Sequence, residues 1–211
     1  MIGALFKIWK TFHENVISSR RMPAIAAHIR AIIPPGARIL DVGAGDGFID
    51  SLIVDGRSDI SIVAVDVRPR DHTFVPVATF EGAVLPFDDQ AFDVVMLIDV
   101  LHHAPDPRML LREAARVGRT VIVKDHTKDG IMAGLRLAFM DYVGNRYANV
   151  ALPNVYFTTG QWRRLFADLG LHEMHSIADL GLYPWPLSVV FERRLHFLCT
   201  LQGAPALVST K

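Results

Sequence analysis

The sequence predicts an α/β fold built on a mostly parallel sheet. Three observations carry this prediction. Short apolar or β-branched runs alternate with segments of helical periodicity, the run at 60–65 is continuously apolar, and Gly and Pro fall between the periodic segments. At 211 residues the chain has the length of one domain with a full hydrophobic core. Residues 1–34 are expected to form helices that cover the core, and residues 35–211 the main domain.

From the start of the chain, Leu5, Phe6, Trp9, Phe12 and Val16 recur at helical spacing with Lys7, Lys10, Glu14 and Asn15 on the other side, an amphipathic helix. A second helix is expected from Pro23, with Ile25, Ile29, Ile32 and Ile33 on one face, closed by Pro34, Pro35 and Gly36. Residues 38–42 read as a strand that breaks into Gly43, Gly45 and Gly47. Phe48, Ile49, Leu52 and Ile53 then suggest a helix ended by Gly56. The run at 60–65 is the second strand and 75–80 a weaker third. Only residues 67–74 separate them, fewer than the dozen a helical crossover needs, so the usual helix is expected to be missing or reduced to a turn.

Residues 92–100 read as a fourth strand. The following helix carries Leu110, Leu111, Ala114 and Val117, with Asp106 as its cap and Pro107 at its first position. Residues 120–123 form a fifth strand. Ile131, Leu135, Phe139, Tyr142 and Val143 then fall at helical spacing and Gly144 stops them. Thr158 or Thr159 can cap a helix presenting Trp162, Leu165, Phe166 and Leu169, and ending at Gly170. Two extended runs follow at 172–177 and 195–201, joined by a stretch broken at Pro184 and Pro186.

Lys plus Arg equals Asp plus Glu at 22 each, so no global field draws the chain to a polyanion, and no nucleic-acid partner is expected. Cys199 is the single cysteine. It excludes an internal disulfide and a cysteine-rich zinc site, and with no signal-peptide pattern at the start it suits a cytoplasmic protein. The mean hydropathy of +0.27 is high, yet no window reaches the roughly 18 uncharged apolar residues of a membrane span. The surplus apolar surface is expected to line a substrate pocket, pack a dimer, or rest on a membrane. The first helix, with Trp9, Phe12 and two lysines, is the candidate for peripheral membrane contact. The oligomeric state is not legible.

Residues 39–47 read Ile-Leu-Asp-Val-Gly-Ala-Gly-Asp-Gly, three glycines where a strand turns sharply into a helix. Glycine is needed there because a cofactor approaches the backbone closely and some positions require positive φ. A dinucleotide fingerprint G-x-G-x-x-G would place its third glycine at 48, where Phe48 stands, so a nicotinamide-dependent reductase does not match. Asp41 also disfavours a pyrophosphate and favours a ligand carrying positive charge. Asp66, at the end of the next strand, can accept hydrogen bonds from both hydroxyls of a ribose.

With these features the sequence resembles the class I methyltransferases that use S-adenosylmethionine (SAM). The resemblance runs through D-x-G-x-G-x-G at 41–47, Asp66, Glu81-Gly82-Ala83-Val84-Leu85-Pro86-Phe87-Asp88, Phe92-Asp93-Val94-Val95 and Asp99-Val100-Leu101-His102-His103. It is strong over 38–123, and quinone-biosynthesis C-methyltransferases are the group most similar by motif. It implies a Rossmann-like, seven-stranded, mostly parallel sheet with helices on both faces and a C-terminal antiparallel strand pair. It also implies SAM as cofactor, held by Asp41, Gly43, Ala44, Gly45, Gly47, Asp66, Val67, Glu81, Gly82, Asp99 and Val100. The family usually has Asp where Glu81 stands. The reaction expected is methyl transfer to a small apolar acceptor such as a quinone, polyketide or lipid precursor; the alternative is a catalytically silent SAM-binding partner protein.

His103, Asp125 and His126 are the candidate acid–base groups, because His suits proton transfer near neutral pH and ligands of open α/β sheets sit beyond the strands' carboxyl ends. His102, Tyr142, Asn145, Asn154 and Tyr156 are candidate substrate contacts, the last four on a segment at 128–158 expected to roof the site. Adjacent histidines rarely point at one metal and no third ligand has suitable spacing, so no metal is expected.

Overall fold

The computed structural model describes residues 19–68, 70–81, 84–145 and 155–203, and only the backbone of 139 and 141–145. The expected helix around Trp9 and Phe12, Gly82, Asn154, and the side chains of Tyr142 and Asn145 lie outside the described residues.

Helix α1 is Ser19–Ile32, followed by β1 Arg38–Val42, α2 Phe48–Val54, β2 Ser61–Asp66, β3 Val77–Thr79 and β4 Phe92–Ile98. A 3-10 turn, Leu101–His103, leads to α3 Pro107–Val117, β5 Gly118–His126, α4 Ala133–Asn145 and α5 Thr159–Asp168. The described chain closes with β6 Leu171–Ile177, α6 Leu187–Phe191 and β7 His196–Gly203. The seven strands run in the order β3-β2-β1-β4-β5-β7-β6. β1 to β5 are parallel, whereas β7 is antiparallel to both β5 and β6. The strand order reverses between β1 and β4, which opens a crevice at their carboxyl ends.

Strand parity divides the core. Leu40 and Val42 of β1, Val95 and Leu97 of β4, and Val121 and Val123 of β5 pack with Leu111, Val117, Trp162 and Phe166 on one face. The intervening Ile39, Val94, Met96, Ile98 and Ile122 pack with Ile25, Ile29 and Ile53 of α1 and α2 on the other. Because both faces are covered, the central strands carry apolar residues at successive positions, as at Ile39–Leu40, Val94–Ile98 and Val121–Val123. Asp41 and Lys124 share the parity of Ile39 and Ile122, so they point to the side covered by α1 and α2.

Asp106 caps α3 by accepting from the Met109 N–H at 3.0 Å, with Pro107 behind it as the sequence indicates. Thr158 and Gln161 form a reciprocal capping box at the start of α5. No helix lies among the described residues between β2 and β3.

Three sequence expectations change. Helix α1, Ser19–Ile32, includes residues ahead of Pro23 and passes through it, because the packing of Ile25 and Ile29 outweighs one missing donor. β5 extends to His126, paired along its whole carboxyl end with β7, so Asp125 and His126 are strand residues. Helix α4 runs through Gly144 and buries Ala133 and Leu137, while Ile131 and Leu135 are exposed. Ala133 and Leu137, four residues apart, set the buried stripe of the described part of this helix.

Candidate active site

The turn after β1 is shaped by three left-handed glycines, Gly43, Gly45 and Gly47, at φ 83°, 63° and 71°. A methyl added at Gly43 would lie 2.5 Å from Val100 Cγ2, and one at Gly47 2.5 Å from Val75 Cγ2. At Gly45 it would meet nothing within 4 Å. The outer glycines are therefore pinned by packing, and the middle one faces open space. Gly43 and Ala44 donate to the Val65 carbonyl, tying this turn to the end of β2. The Asp66 carboxylate accepts from the Gly45 N–H and the Arg68 N–H, each at 2.8 Å. One lone pair on each oxygen is then left for a ligand. Val67 and Glu81 are exposed nearby in sequence.

Beneath this turn two carboxyl groups meet. Asp50, on the first turn of α2, reaches hydrogen-bonding distance of Asp41, and both are buried. Apart from one another, the Asp50 oxygens and Asp41 Oδ1 have no hydrogen-bond partner among the described residues. Burial, followed by the Asp50 charge, pushes Asp41 well above the usual carboxylate range. Burial lifts Asp50 to about 6, although its hydrogen bond to Asp41 pulls the other way.

At the carboxyl ends of β4 and β5 the side chains converge. Asp125 is fully buried; its Oδ1 accepts from the backbone of His126 at 2.6 Å and lies 2.7 Å from His102 Nδ1. Burial works against this carboxylate, but His102 beside it holds it well below its usual range. Asp99, at φ 56°, joins Arg21 through one oxygen and Lys124 Nζ through the other, the latter at 2.5 Å. Burial opposes its charge too, and Lys124 and Arg21 overcome that and keep it well below the usual range.

Lys124 is fully buried, and burial lowers its ammonium to about 8 against the pull of Asp99. His196, paired across β7 with His126, lies 3.4 Å from Lys124 Nζ and is itself pushed well down by burial and Lys124. His126 is lowered to about 4 by burial and Lys124, so it stands neutral. The Tyr156 ring lies 5.9 Å from that of His102 and 6.2 Å from that of His126, centroid to centroid, and its buried hydroxyl has no partner among the described residues.

His102, Asp125, His126 and Tyr156 thus come together, with the His103 ring 3.9 Å from that of His102. Asp125 orients His102 rather than its neighbour His126 as a base and partner pair. The premise behind expecting no metal needs correction: Asp99, His102, Asp125 and His126 place their ligating atoms within 4.8 Å of one another. They do so through space, by the juxtaposition of two strand ends, which sequence spacing does not reveal. Sequence reading also missed Arg21, Asp50, Lys124 and His196. Only His196 stands as a lone polar residue within an apolar run; Arg21, Asp50 and Lys124 each have polar neighbours in sequence and carry no such signal.

A family model for the methyltransferase domain matches residues 13–176. The chain belongs to the methyltransferase domain family. Among similar proteins, a ubiquinone biosynthesis O-methyltransferase of Xanthomonas campestris pv. campestris is 30% identical over 113 residues, covering 48% of this chain and 45% of that protein. An uncharacterised methyltransferase of Mycobacterium sp. strain KMS is 36% identical over 93 residues, 41% of this chain and 36% of that protein. These matches span well under two thirds of the relatives' own lengths. The methyltransferase in complex with the Haloferax volcanii Trm112 activator superposes with TM-score 0.64 at 22% identity, covering 95% of this chain and 96% of that one. A SAM-dependent methyltransferase from Methanosarcina mazei gives TM-score 0.58 at 16% identity, over 83% and 96%. The fold is the Rossmann-like methyltransferase fold.

SAM, the methyl donor of this family, suits the residues present. The open space at Gly45 admits a ligand against the backbone, and Asp66 offers ribose acceptors. No helix among the described residues is long and apolar enough to cross a membrane.

Proposed function

We propose that this methyltransferase moves the methyl group of SAM onto a hydroxyl oxygen of a small, largely apolar acceptor. The observation that carries the reading is the buried His102–Asp125 pair, 2.7 Å apart, at the strand ends beyond the glycine turn. Bound SAM supplies an activated methyl electrophile, so the chain has to hold, align and dry the acceptor. Asp41, the turn at Gly43, Ala44, Gly45 and Gly47, Asp66, Val67, Glu81, Gly82 and Val100 hold the cofactor. Asp125 accepts the Nδ1 hydrogen of His102 and makes Nε2 the basic nitrogen, which takes the acceptor's hydroxyl proton as the new O–CH3 bond forms.

His103 and His126 flank this base, and Tyr156 contributes a hydroxyl for the acceptor. Tyr142, Asn145 and Asn154 are the further acceptor contacts this reading assigns from sequence, and the apolar character of the acceptor matches the high mean hydropathy. The relative named as a ubiquinone biosynthesis O-methyltransferase supports oxygen as the receiving atom. A small molecule, and no nucleic acid, is the partner, in keeping with the balanced charge.

The test is methyl transfer from labelled SAM into phenols, catechols and lipid-soluble cell extract by purified protein. Label in an ether-linked methyl product is expected. His102→Gln should lower kcat about 100-fold with SAM affinity unchanged, the scale of a lost general base. Tight SAM binding without turnover across these acceptors would overturn the proposal in favour of a catalytically silent SAM-binding partner protein.

A further inference from the structure

We infer that Asp99, His102, Asp125 and His126 form a binding site for a divalent first-row transition cation, of the Zn2+ or Mn2+ kind. The four ligating atoms lie within 4.8 Å of one another. His126 Nδ1 stands 3.5 Å from both Asp99 Oδ1 and Asp125 Oδ1. Ligands 2.0–2.2 Å from a tetrahedral ion are separated by about 3.4 Å. Two of the contacts already have this spacing; the 2.7 Å His102–Asp125 contact has to open by several tenths of an ångström.

A second, independent observation points the same way. His126 is 5% exposed, and its Nδ1, aimed between the two carboxylates, has no hydrogen-bond partner among the described residues. Leaving such a nitrogen in a dry interior costs free energy, and coordination would recover it. Two imidazoles with two carboxylates form a mixed nitrogen–oxygen set, which suits Zn2+, Fe2+ or Mn2+ better than Mg2+ or Ca2+, whose sites are built from oxygen.

Lys124 sets the limit on affinity. Its ammonium occupies Asp99 Oδ1, the oxygen the ion would use, while Arg21 holds the other oxygen. The ion and the ammonium therefore compete for one lone-pair region, and removing the ammonium should tighten ion binding. Four protein ligands fill a tetrahedral shell, so a bound ion would hold these strand ends together and compete with the proposed base role of His102. The site rests on the geometry of the cluster and not on the proposed methyl transfer.

The experiment is carried out on full-length, chelator-treated protein in the absence of SAM. Equilibrium dialysis with Zn2+, Mn2+ and Mg2+, together with Co2+ titration followed by visible absorption, reads the site directly. One Zn2+ or Co2+ per chain is expected, with imidazole-type Co2+ bands and little Mg2+ uptake. His126→Ala and Asp99→Asn should each weaken binding by about 10- to 100-fold, and Lys124→Met should strengthen it. Circular dichroism selects the variants that fold, and His126→Gln replaces His126→Ala if the latter does not. Absence of stoichiometric uptake by the parent protein, or uptake unaltered in the folded ligand variants, would overturn the inference. Either result leaves methyl transfer to be judged by its own assay.

Discussion

Gly45 governs access to the cofactor turn, since its Cα faces open space whereas those of Gly43 and Gly47 face valines. Gly45→Ala should therefore fold, at a cost of about 1–2 kcal/mol for an alanine held left-handed, while its methyl enters the ligand's space. The expected result is a soluble variant with a modestly lowered Tm and SAM affinity reduced by more than about tenfold, measured by calorimetry; unchanged affinity would remove this turn from the cofactor site. Asp50 acts at the same scale. An acid whose folded pKa is raised contributes stability below its unfolded pKa and loses it as pH rises through the folded value. For Asp50 that window runs from the ordinary carboxylate value, about 4, to about 6. The Tm of Asp50→Asn minus that of the parent should therefore grow as pH rises across this window and level off above it. A difference that is flat with pH would show that the two carboxyl groups do not interact as their burial implies.

Among the elements, α5 is fastened in two ways. Its capping box joins Thr158 and Gln161, and its Trp162 Nε1–H donates to the His126 carbonyl at 2.9 Å. Thr158→Ala should cost about 1 kcal/mol in denaturant unfolding, the usual loss of an N-cap, without changing the chemistry of the strand ends. Trp162→Phe leaves a buried carbonyl without its donor and should cost about 1–3 kcal/mol. Because that carbonyl belongs to His126, this variant should also weaken metal uptake, whereas Thr158→Ala should not. Strand β7 matters in another way: its antiparallel pairing sets His196 opposite His126 and closes the cluster from a part of the chain remote in sequence.

At the scale of the whole molecule, the site exists because β1 and β4 are neighbours at the point of reversal and β5 lies next to β4. Ligand binding should therefore stabilise the fold as a unit. SAM at 100 times its dissociation constant is expected to add about 2.7 kcal/mol to unfolding. A Tm unmoved by SAM at millimolar concentration would contradict the cofactor assignment.

The sequence by itself determined the alternation of strands and helices, the glycine turn with Asp41 and Asp66, the short connection between β2 and β3, and the cap at Asp106, and it narrowed the α5 cap to Thr158 or Thr159. These are local or periodic features: turn geometry, capping and a two-sided apolar pattern are written in neighbouring residues. Tertiary structure alone decided which acid meets which histidine. Asp125 meets His102, in the turn after β4, as well as the backbone N–H of its own neighbour His126, because the carboxyl ends of β4 and β5 lie side by side in the sheet. Strand parity brings Asp41 to Asp50 and sends Lys124 toward Arg21 and Asp99, contacts that span 9 to 103 positions of chain. In the described part of α4, likewise, packing decided that Ala133 and Leu137 are buried and Leu135 exposed.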